Sequence, residues 1–258
     1  MPVLGKVFLV GAGPGDPELV TLKAARLIRS CDAIVYDYLA APELLEWTKP
    51  GCQQICVGKR PGFHSLPQEQ IQERLVELAR AGLEVVRLKG GDPFIFGRGG
   101  EEASALIKAG VSFEIVPGIT AAIGCAAYAG IPLSHRAATG AITFISGHEM
   151  PDKASELAIN WPEHARSGAT LVLYMAMGRL PEIAGRLIAE GRDPETPAAV
   201  VQRGTTAKQR ILTTCLKALA QDVEKEGFGP PSVVIIGSVA AYAEELAWFG
   251  DSRDRPQV

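Results

Sequence analysis

Four short apolar runs in the first half of the chain, KVFLV, AIVYD, VVRLK and FEIV, are each followed by a loop rich in Gly, Pro or Asp and then by a helical pattern. Runs that are apolar at nearly every position suit strands covered on both faces, and strands alternating with helices pair in parallel through crossover connections. The N-terminal half is therefore expected to be a parallel α/β structure. SLPQEQIQERLVELARAG supplies one of its helices. Ser65 lies near the start, Pro67 suits the first turn, Ile71, Leu75 and Leu78 share a face, and Gly82 ends it. EEASALIKAG supplies another, opening behind Gly99 and Gly100 and stopping at Gly110.

Around GIPLSHRAATG the pattern changes, with Pro132 and a run of small residues marking a break. Beyond it AITFISG, ATLVLYMA, AAVVQRG and SVVIIGS read as strands, with helices near Leu180 to Glu190 and Leu216 to Glu226. QRILTTC follows a strand after only a short loop, which predicts antiparallel pairing and hence a mixed sheet in this half. The expected division is an N-terminal α/β domain over residues 1–134, a C-terminal α/β domain over 135–250, and a polar tail over 251–258.

Composition narrows the function classes. With 47% hydrophobic and 21% charged residues the chain is an ordinary soluble type, and its net charge of −3 argues against affinity for nucleic acid or anionic membrane through a whole-surface field. An anionic ligand must instead meet a local basic patch. No apolar run approaches the roughly 20 residues of a membrane-spanning helix, and the start MPVLGKVFLVGAG lacks a signal-type core, so a cytoplasmic location is expected. The five cysteines are odd in number and scattered through apolar segments, which reads as reduced packing residues. Cys52 and Cys56 have no second pair nearby, and the four histidines form no cluster with acids, so no metal is expected.

The loop after the first strand, GAGPGDP, is superficially a dinucleotide-binding turn. That motif places glycines at its first, third and sixth positions with a helix N-terminus aimed at the pyrophosphate. Here Gly11, Gly13 and Gly15 fall at the first, third and fifth positions, Pro14 removes an amide donor, and Asp16 puts a carboxylate at the sixth. Asp16 and Pro17 also delay the helix, carrying its amides away from the turn. Asp37, at the end of the second strand, stands where a ribose-binding acid would in that fold, but the turn chemistry better suits a phosphate-free ligand that needs close backbone approach.

Other loops concentrate candidate functional residues. RLKGGDPFIFGRGGEE follows a strand, and ligands of open sheets bind at the carboxyl ends of parallel strands. Gly90 and Gly91 would let the backbone touch a ligand, Asp92 and Pro93 would fix the turn, and Phe94 and Phe96 suit either core or ligand wall. EIVPGITAAIGCAAYAG is a strand, a Pro-Gly turn and a helix of small residues whose start, Thr120, Ala121 and Ala122, offers open amides. Met175 and Met177 follow a buried strand, where methionines fill gaps or form a pliable wall for a flat apolar ligand. His135 reads as a structural hydrogen-bonding residue.

Taken in order, VGAGPGDPELVTLKAARLI, DAIVYD, VGKRPGFHSLPQEQI, VVRLKGGDPFIFGRGGEE, VPGITAAIGCAAYAGIPLSHR, LYMAMG and QRGTTAKQR resemble the tetrapyrrole methylases, a family dependent on S-adenosylmethionine. The likeness runs from about Lys6 to Phe249. It implies two α/β domains, the first with a parallel sheet and the second with a mixed one, the active site in the cleft between them, and a homodimer. Carried onto this sequence, the cofactor-binding positions are Pro14, Gly90, Gly91, Asp92, Ile95, Thr120, Ala121, Met175 and Gly204, and Asp37 and Lys59 match positions assigned to proton transfer. Arg203 stands before Gly204 where relatives often carry a small polar residue.

The RLKGGDPFIFGRGGEE block favours members acting on uroporphyrinogen III over relatives acting on later precorrins, diphthine or ribosomal RNA. The implied reaction methylates C2 and then C7, giving precorrin-1 and then precorrin-2 for sirohaem- or cobalamin-type biosynthesis, with S-adenosylhomocysteine as by-product and no metal. Two alternatives stand beside it, a methylase of the same fold acting on a later precorrin and a non-catalytic S-adenosylmethionine-binding module. The dehydrogenase and chelatase module fused in bifunctional sirohaem synthases has no counterpart in these residues, so methylation is the expected activity. The substrate carries a carboxylate on every side chain, so its pocket needs forked cations. Arg98 and Arg136 are the first candidates, with Met177 as a wall and Lys59, Arg60 and Lys89 as helpers. Two acids are candidate bases: Asp37, at the end of an apolar strand where burial would suit it to take up a proton, and Glu101, where Arg98 and a helix N-terminus should lower the pKa.

Overall fold

The structure is a computed structural model that describes residues 4–58, 66–148 and 159–250. In chain order its elements are β1 (Lys6–Gly11), α1 (Leu22–Ser30), β2 (Ala33–Tyr36), α2 (Glu43–Glu46), β3 (Gln53–Cys56), α3 (Gln68–Arg80), β4 (Val85–Lys89), α4 (Gly99–Lys108), β5 (Ser112–Val116) and α5 (Ala121–Tyr128). There follow β6 (Ile142–Ser146), α6 (Trp161–Arg166), β7 (Thr170–Tyr174), α7 (Leu180–Ala189), β8 (Pro197–Gln202), β9 (Arg210–Cys215), α8 (Leu219–Lys225) and β10 (Ser232–Ile236). Contacts divide the chain into two compact units, residues 1–121 and 122–258.

The first unit is a parallel sheet of order β3-β2-β4-β1-β5. Alternation along each strand assigns residues to opposite faces. Phe8, Val10, Ile34, Val86 and Leu88 pack with Ala24, Leu27 and Ile28 of α1 and Leu44 of α2. Val7, Leu9, Val35 and Val85 pack with Ile71, Leu75 and Leu78 of α3 and Leu106 of α4. The helix read from SLPQEQIQERLVELARAG thus buries the face expected of it, while Ser65 lies outside the described residues. Gly82 and Gly110 take left-handed φ of +84° and +68°, the C-terminal geometry that favours glycine.

Two features of this unit escaped the sequence reading. β3 was missed because it is a short edge strand with exposed Gln53 and Gln54, and so lacks the apolar run of its neighbours. The start of α1 is more fully specified than the sequence suggested. Asp16 Oδ1 accepts from the Glu18 amide at 2.9 Å in a 3-10 turn over Pro17–Leu19, and Thr21 Oγ1 then caps α1 by accepting from the Ala24 amide at 3.1 Å. The helix amides accordingly start well beyond the Gly11 to Gly15 turn, as Asp16 and Pro17 implied.

The second unit is a mixed sheet of order β6-β7-β10-β8-β9, in which β6 and β7 are parallel and the remaining pairs antiparallel. Leu171, Leu173, Val200, Val234 and Ile236 face Trp161 of α6, Leu180, Ile183 and Leu187 of α7, and Leu219 and Val223 of α8 in one apolar core. α6 is a further element not read from the sequence, although Asn160 accepts from the Glu163 amide at 3.3 Å and Pro162 occupies its first turn. The division between units falls between Ala121 and Ala122, after the first residue of α5 and ahead of the sequence break at residues 134–139. From Ala122 onward that helix is tied into the second unit. The Ala122 amide donates to the Tyr174 hydroxyl at 2.9 Å, and Trp248 Nε1 donates to the Ala127 carbonyl at 2.8 Å.

Candidate active site

In the first unit the loops after β1, β4 and β5 meet through bare backbone. Gly13 and Gly91 exchange backbone hydrogen bonds of 3.2 and 2.7 Å, and a Cβ on Gly11 would lie 2.6 Å from the Gly91 carbonyl oxygen. A Cβ on Gly118 would overlap that same oxygen. The glycine of the opening turn is therefore required by two other loops; close approach at Gly11 is backbone to backbone. Gly90 is held beside the loop after β2, since a Cβ there would come within 2.9 Å of Leu39 Cβ. Thr120 is buried, and its Cα would be 3.6 Å from a Cβ on Gly91.

Asp92 ties this loop set together. Its Oδ1 accepts from the Phe94 amide at 2.8 Å and its Oδ2 from the Gly118 amide at 3.0 Å, so both carboxylate oxygens serve the backbone. What the segment presents outward is apolar: Phe94, Ile95 and Phe96 are all exposed. Pro14 is half-buried in the turn. Phe96 and Arg98 adopt left-handed φ of 52° and 58°. Non-glycine residues in that region carry backbone strain, which collects at functional sites.

Beneath these loops lies a charged cluster that the sequence reading did not assemble. Arg87 and Lys89 sit two apart on β4, on the face toward α3 and α4, and both are almost fully buried. Arg87 Nη2 donates to Asp37 Oδ1 and Oδ2 at 2.8 and 2.9 Å, while its Nε donates to Glu102 Oε1 at 3.1 Å. Lys89 Nζ and Gln68 Nε2 donate to the same Glu102 oxygen at 2.9 and 3.1 Å. Two cations and two carboxylates balance, as buried charges require. Glu102 is fully buried, and its Oε2 has no hydrogen-bond partner among the described residues.

This cluster corrects two expectations. Lys89 is not a loop cation for a substrate, because it is the second residue of a period-two pair directed into the layer, where Glu102 neutralises it. Burial, with the Arg87 charge beside it, holds the Lys89 ammonium below its ordinary range. Asp37 does stand at the end of β2, but it is set by an ion pair with Arg87 rather than by apolar burial, with its side chain 30% exposed. The available signal was the pair of charges inside VVRLK, which demanded an acid on the helix behind it; the second Glu of GRGGEE supplies it.

Glu101, the other candidate base, is at the exposed N-terminus of α4. Arg98 Nε and Nη2 donate to its two oxygens at 2.9 and 2.7 Å, and this fork holds the carboxyl below its usual range, as its position implied. Lys59 and Arg60 lie outside the described residues.

The second unit contributes another set of strained loops. Met175, at the end of β7, has φ 53° and is exposed, whereas Met177 opens a 3-10 turn and packs half-buried against the apolar core. Gly204 is buried after β8 between Arg203 and Thr205, whose φ values of 49° and 66° are also left-handed. A Cβ on Gly204 would collide with Cys125 Sγ of α5. Phe96, Arg98, Met175, Arg203 and Thr205 are the non-glycine residues with positive φ among the described residues, and all lie at or beside predicted ligand positions. Arg136 is exposed in the loop after α5, next to His135, whose Nδ1 takes the Ala137 amide at 3.2 Å and lies 3.2 Å from the Tyr242 hydroxyl. Ala121, half-buried, opens α5.

The model of the Tetrapyrrole (Corrin/Porphyrin) Methylases matches residues 6–220. The chain belongs to the tetrapyrrole methylase family. Among members of that family, a siroheme synthase of Stutzerimonas stutzeri is 51% identical over 246 residues, which are 95% of this chain and 52% of that protein. The chain thus spans about half the length of the curated relatives it matches. Uroporphyrin III C-methyl transferase of Thermus thermophilus is 40% identical with a TM-score of 0.78, covering 92% of this chain and 99% of its own, and the same values hold for its complex with S-adenyl homocysteine. A cobalt precorrin-4 methyltransferase has a TM-score of 0.81 at 27% identity, covering 91% of this chain and 95% of its own. The two-unit α/β architecture of this tetrapyrrole methylase is that of both solved structures.

Proposed function

We propose that this chain is an S-adenosylmethionine-dependent C-methyltransferase that methylates uroporphyrinogen III at C2 and C7, giving precorrin-2 by way of precorrin-1. The observation that carries this reading is the 40% identity to the Thermus enzyme over 99% of that enzyme's length. The cobalt precorrin-4 methyltransferase superposes as well but at lower identity, which favours uroporphyrinogen III over a later precorrin. The product belongs to sirohaem- or cobalamin-type biosynthesis, made in the cytoplasm by a homodimer. Among the described residues no helix is long and apolar enough to cross a membrane.

The residues fit a phosphate-free nucleoside ligand. The α1 amides are capped by Thr21 away from the glycine turn, so no helix N-terminus is aimed there at a pyrophosphate. Gly90, Gly91 and Asp92 offer backbone on a segment that is fixed from behind, and Ile95 offers an apolar surface. Pro14, Thr120, Ala121, Met175 and Gly204 complete the proposed binding set. When bound, S-adenosylmethionine supplies a methyl group already activated on a sulfonium.

The protein's own task is to align the substrate and remove one proton. Asp37 accepts that proton, being fixed from behind and open at its outer edge, and Lys59 assists. Glu101 is the second candidate; like Asp37 it is paired with an arginine, here the exposed Arg98, which stabilises its charged form. Arg98 and Arg136 receive substrate carboxylates, and Met177 supports the wall behind Met175. The exposed Arg98–Glu101 pair opens at small cost, because such pairs contribute less than about 1 kcal/mol. Incubation with uroporphyrinogen III and S-adenosylmethionine is expected to yield a product carrying two added methyl groups by mass spectrometry. A product without added methyl sinks the reading. Binding of the cofactor with no turnover identifies a binding module, and methylation of a later precorrin alone identifies the other substrate class.

A further inference from the structure

We propose that Arg87 is the positioning residue for Asp37, so that a side chain with no access to substrate sets the orientation of the proton acceptor; this rests on the role assigned to Asp37 above. Asp37 ends its strand and begins a loop, a location that by itself leaves a short side chain free to turn. The guanidinium removes that freedom: one nitrogen, Nη2, reaches both Asp37 oxygens at 2.8 and 2.9 Å and fixes the plane of the carboxylate from its inner edge. The outer edge is the part that stays open, the side chain being 30% exposed.

Arg87 is itself held from every direction. Its Nε donates to Glu102 Oε1 at 3.1 Å, and its Nη1 lies 3.4 Å from the Val35 carbonyl oxygen and 3.3 Å from that of Leu88, both in the sheet. Its side chain is 2% exposed, on a strand flanked by β2 and β1. Glu102 is anchored in turn by Lys89 and Gln68, so the position of the carboxylate at the loop is referred back through the guanidinium to α3, α4 and the central strand. A lysine cannot replace this fork: a single ammonium reaches Glu102 or Asp37 but not the plane of the second carboxylate.

The test compares wild type, Arg87→Lys, Asp37→Asn and the double variant in the full chain, measuring kcat and KM for uroporphyrinogen III and S-adenosylmethionine, with circular dichroism as the folding control. Arg87→Lys keeps a buried cation opposite Glu102. It is expected to lower kcat about tenfold or more while both KM values stay within about twofold. In the Asp37→Asn background the same substitution is expected to cost no further rate, since a residue acting only through Asp37 has nothing left to position. Multiplicative losses in the double variant, a change confined to KM, full activity of Arg87→Lys, or its failure to fold each overturns the proposal. Normal kcat in Asp37→Asn instead overturns the proton-acceptor reading itself, whereas a slow Asp37→Asn beside a fast Arg87→Lys removes only the role given to Arg87.

Discussion

The two units each build a five-stranded sheet, but they treat buried polarity in opposite ways. In the first, the central strand β4 carries two cations into the layer, where Glu102 and Asp37 neutralise them. In the second, the core centred on Trp161, Leu171 and Leu173 contains no ion pair among the described residues, and its buried cation, Arg192, donates instead to the Ala169 carbonyl at 3.0 Å. Its unusual features are in the backbone, at Met175, Arg203 and Thr205. The contrast separates two ways of fixing local geometry. One unit orients charged groups through a buried network; the other shapes its loops through strained main chain and one glycine that must stay small.

The sharpest way to break that contrast is to remove Glu102. Glu102→Leu leaves Arg87 and Lys89 buried beside Asp37 alone, and it is expected to cost about 3–5 kcal/mol in urea denaturation. Adding Arg87→Met and Lys89→Met to the same chain should recover most of that loss, because an apolar cluster needs no compensation. A Glu102→Leu protein as stable as wild type would show that the cluster is not a closed charge balance. The second unit is probed by Gly204→Ala, whose new methyl meets Cys125 Sγ; overpacking of this kind is expected to cost about 1–3 kcal/mol. Pairing it with Cys125→Ala should relieve part of the cost, and strictly additive losses would locate the strain elsewhere.

The smallest effect belongs to the exposed Arg98–Glu101 pair. The Glu101 carboxyl is lowered from 4.5 by the Arg98 fork, so the pair stabilises the fold above the unfolded-state value and ceases to do so as pH falls through the folded one. Both side chains are about half exposed, which limits the contribution to less than about 1 kcal/mol. Arg98→Gln should therefore lower stability slightly and uniformly above pH 5, with the difference from wild type shrinking on acidification. A larger gap at low pH than at neutral pH would contradict the assignment.

Much of the architecture was legible because it rests on local signals. Apolar runs marked the strands β1, β2, β4 and β5, and glycine stops at Gly82 and Gly110 marked the ends of α3 and α4. The antiparallel pairing of β8 with β9 followed from the short loop between them. What stayed hidden depends on partners distant in sequence. β3 is an edge strand whose glutamines give no apolar run, and Glu102 reads as one of two adjacent acids until α4 is laid against β4. Likewise Gly11 reads as a ligand-binding glycine until Gly91 and Gly118 are seen beside it. α5 joins the unit that follows it because Tyr174 and Trp248 bond to it, contacts that no local pattern announces.

The meeting of Gly11, Gly91 and Gly118 has a consequence for anyone wishing to redesign this protein. Because the three loops interlock through main chain, a loop grafted singly from a relative would have to reproduce the curvature of the other two. The loops after β1, β4 and β5 are therefore exchangeable only as a set. Within one set, the exposed side chains of Phe94 and Ile95 take no part in the main-chain contacts that form the interlock.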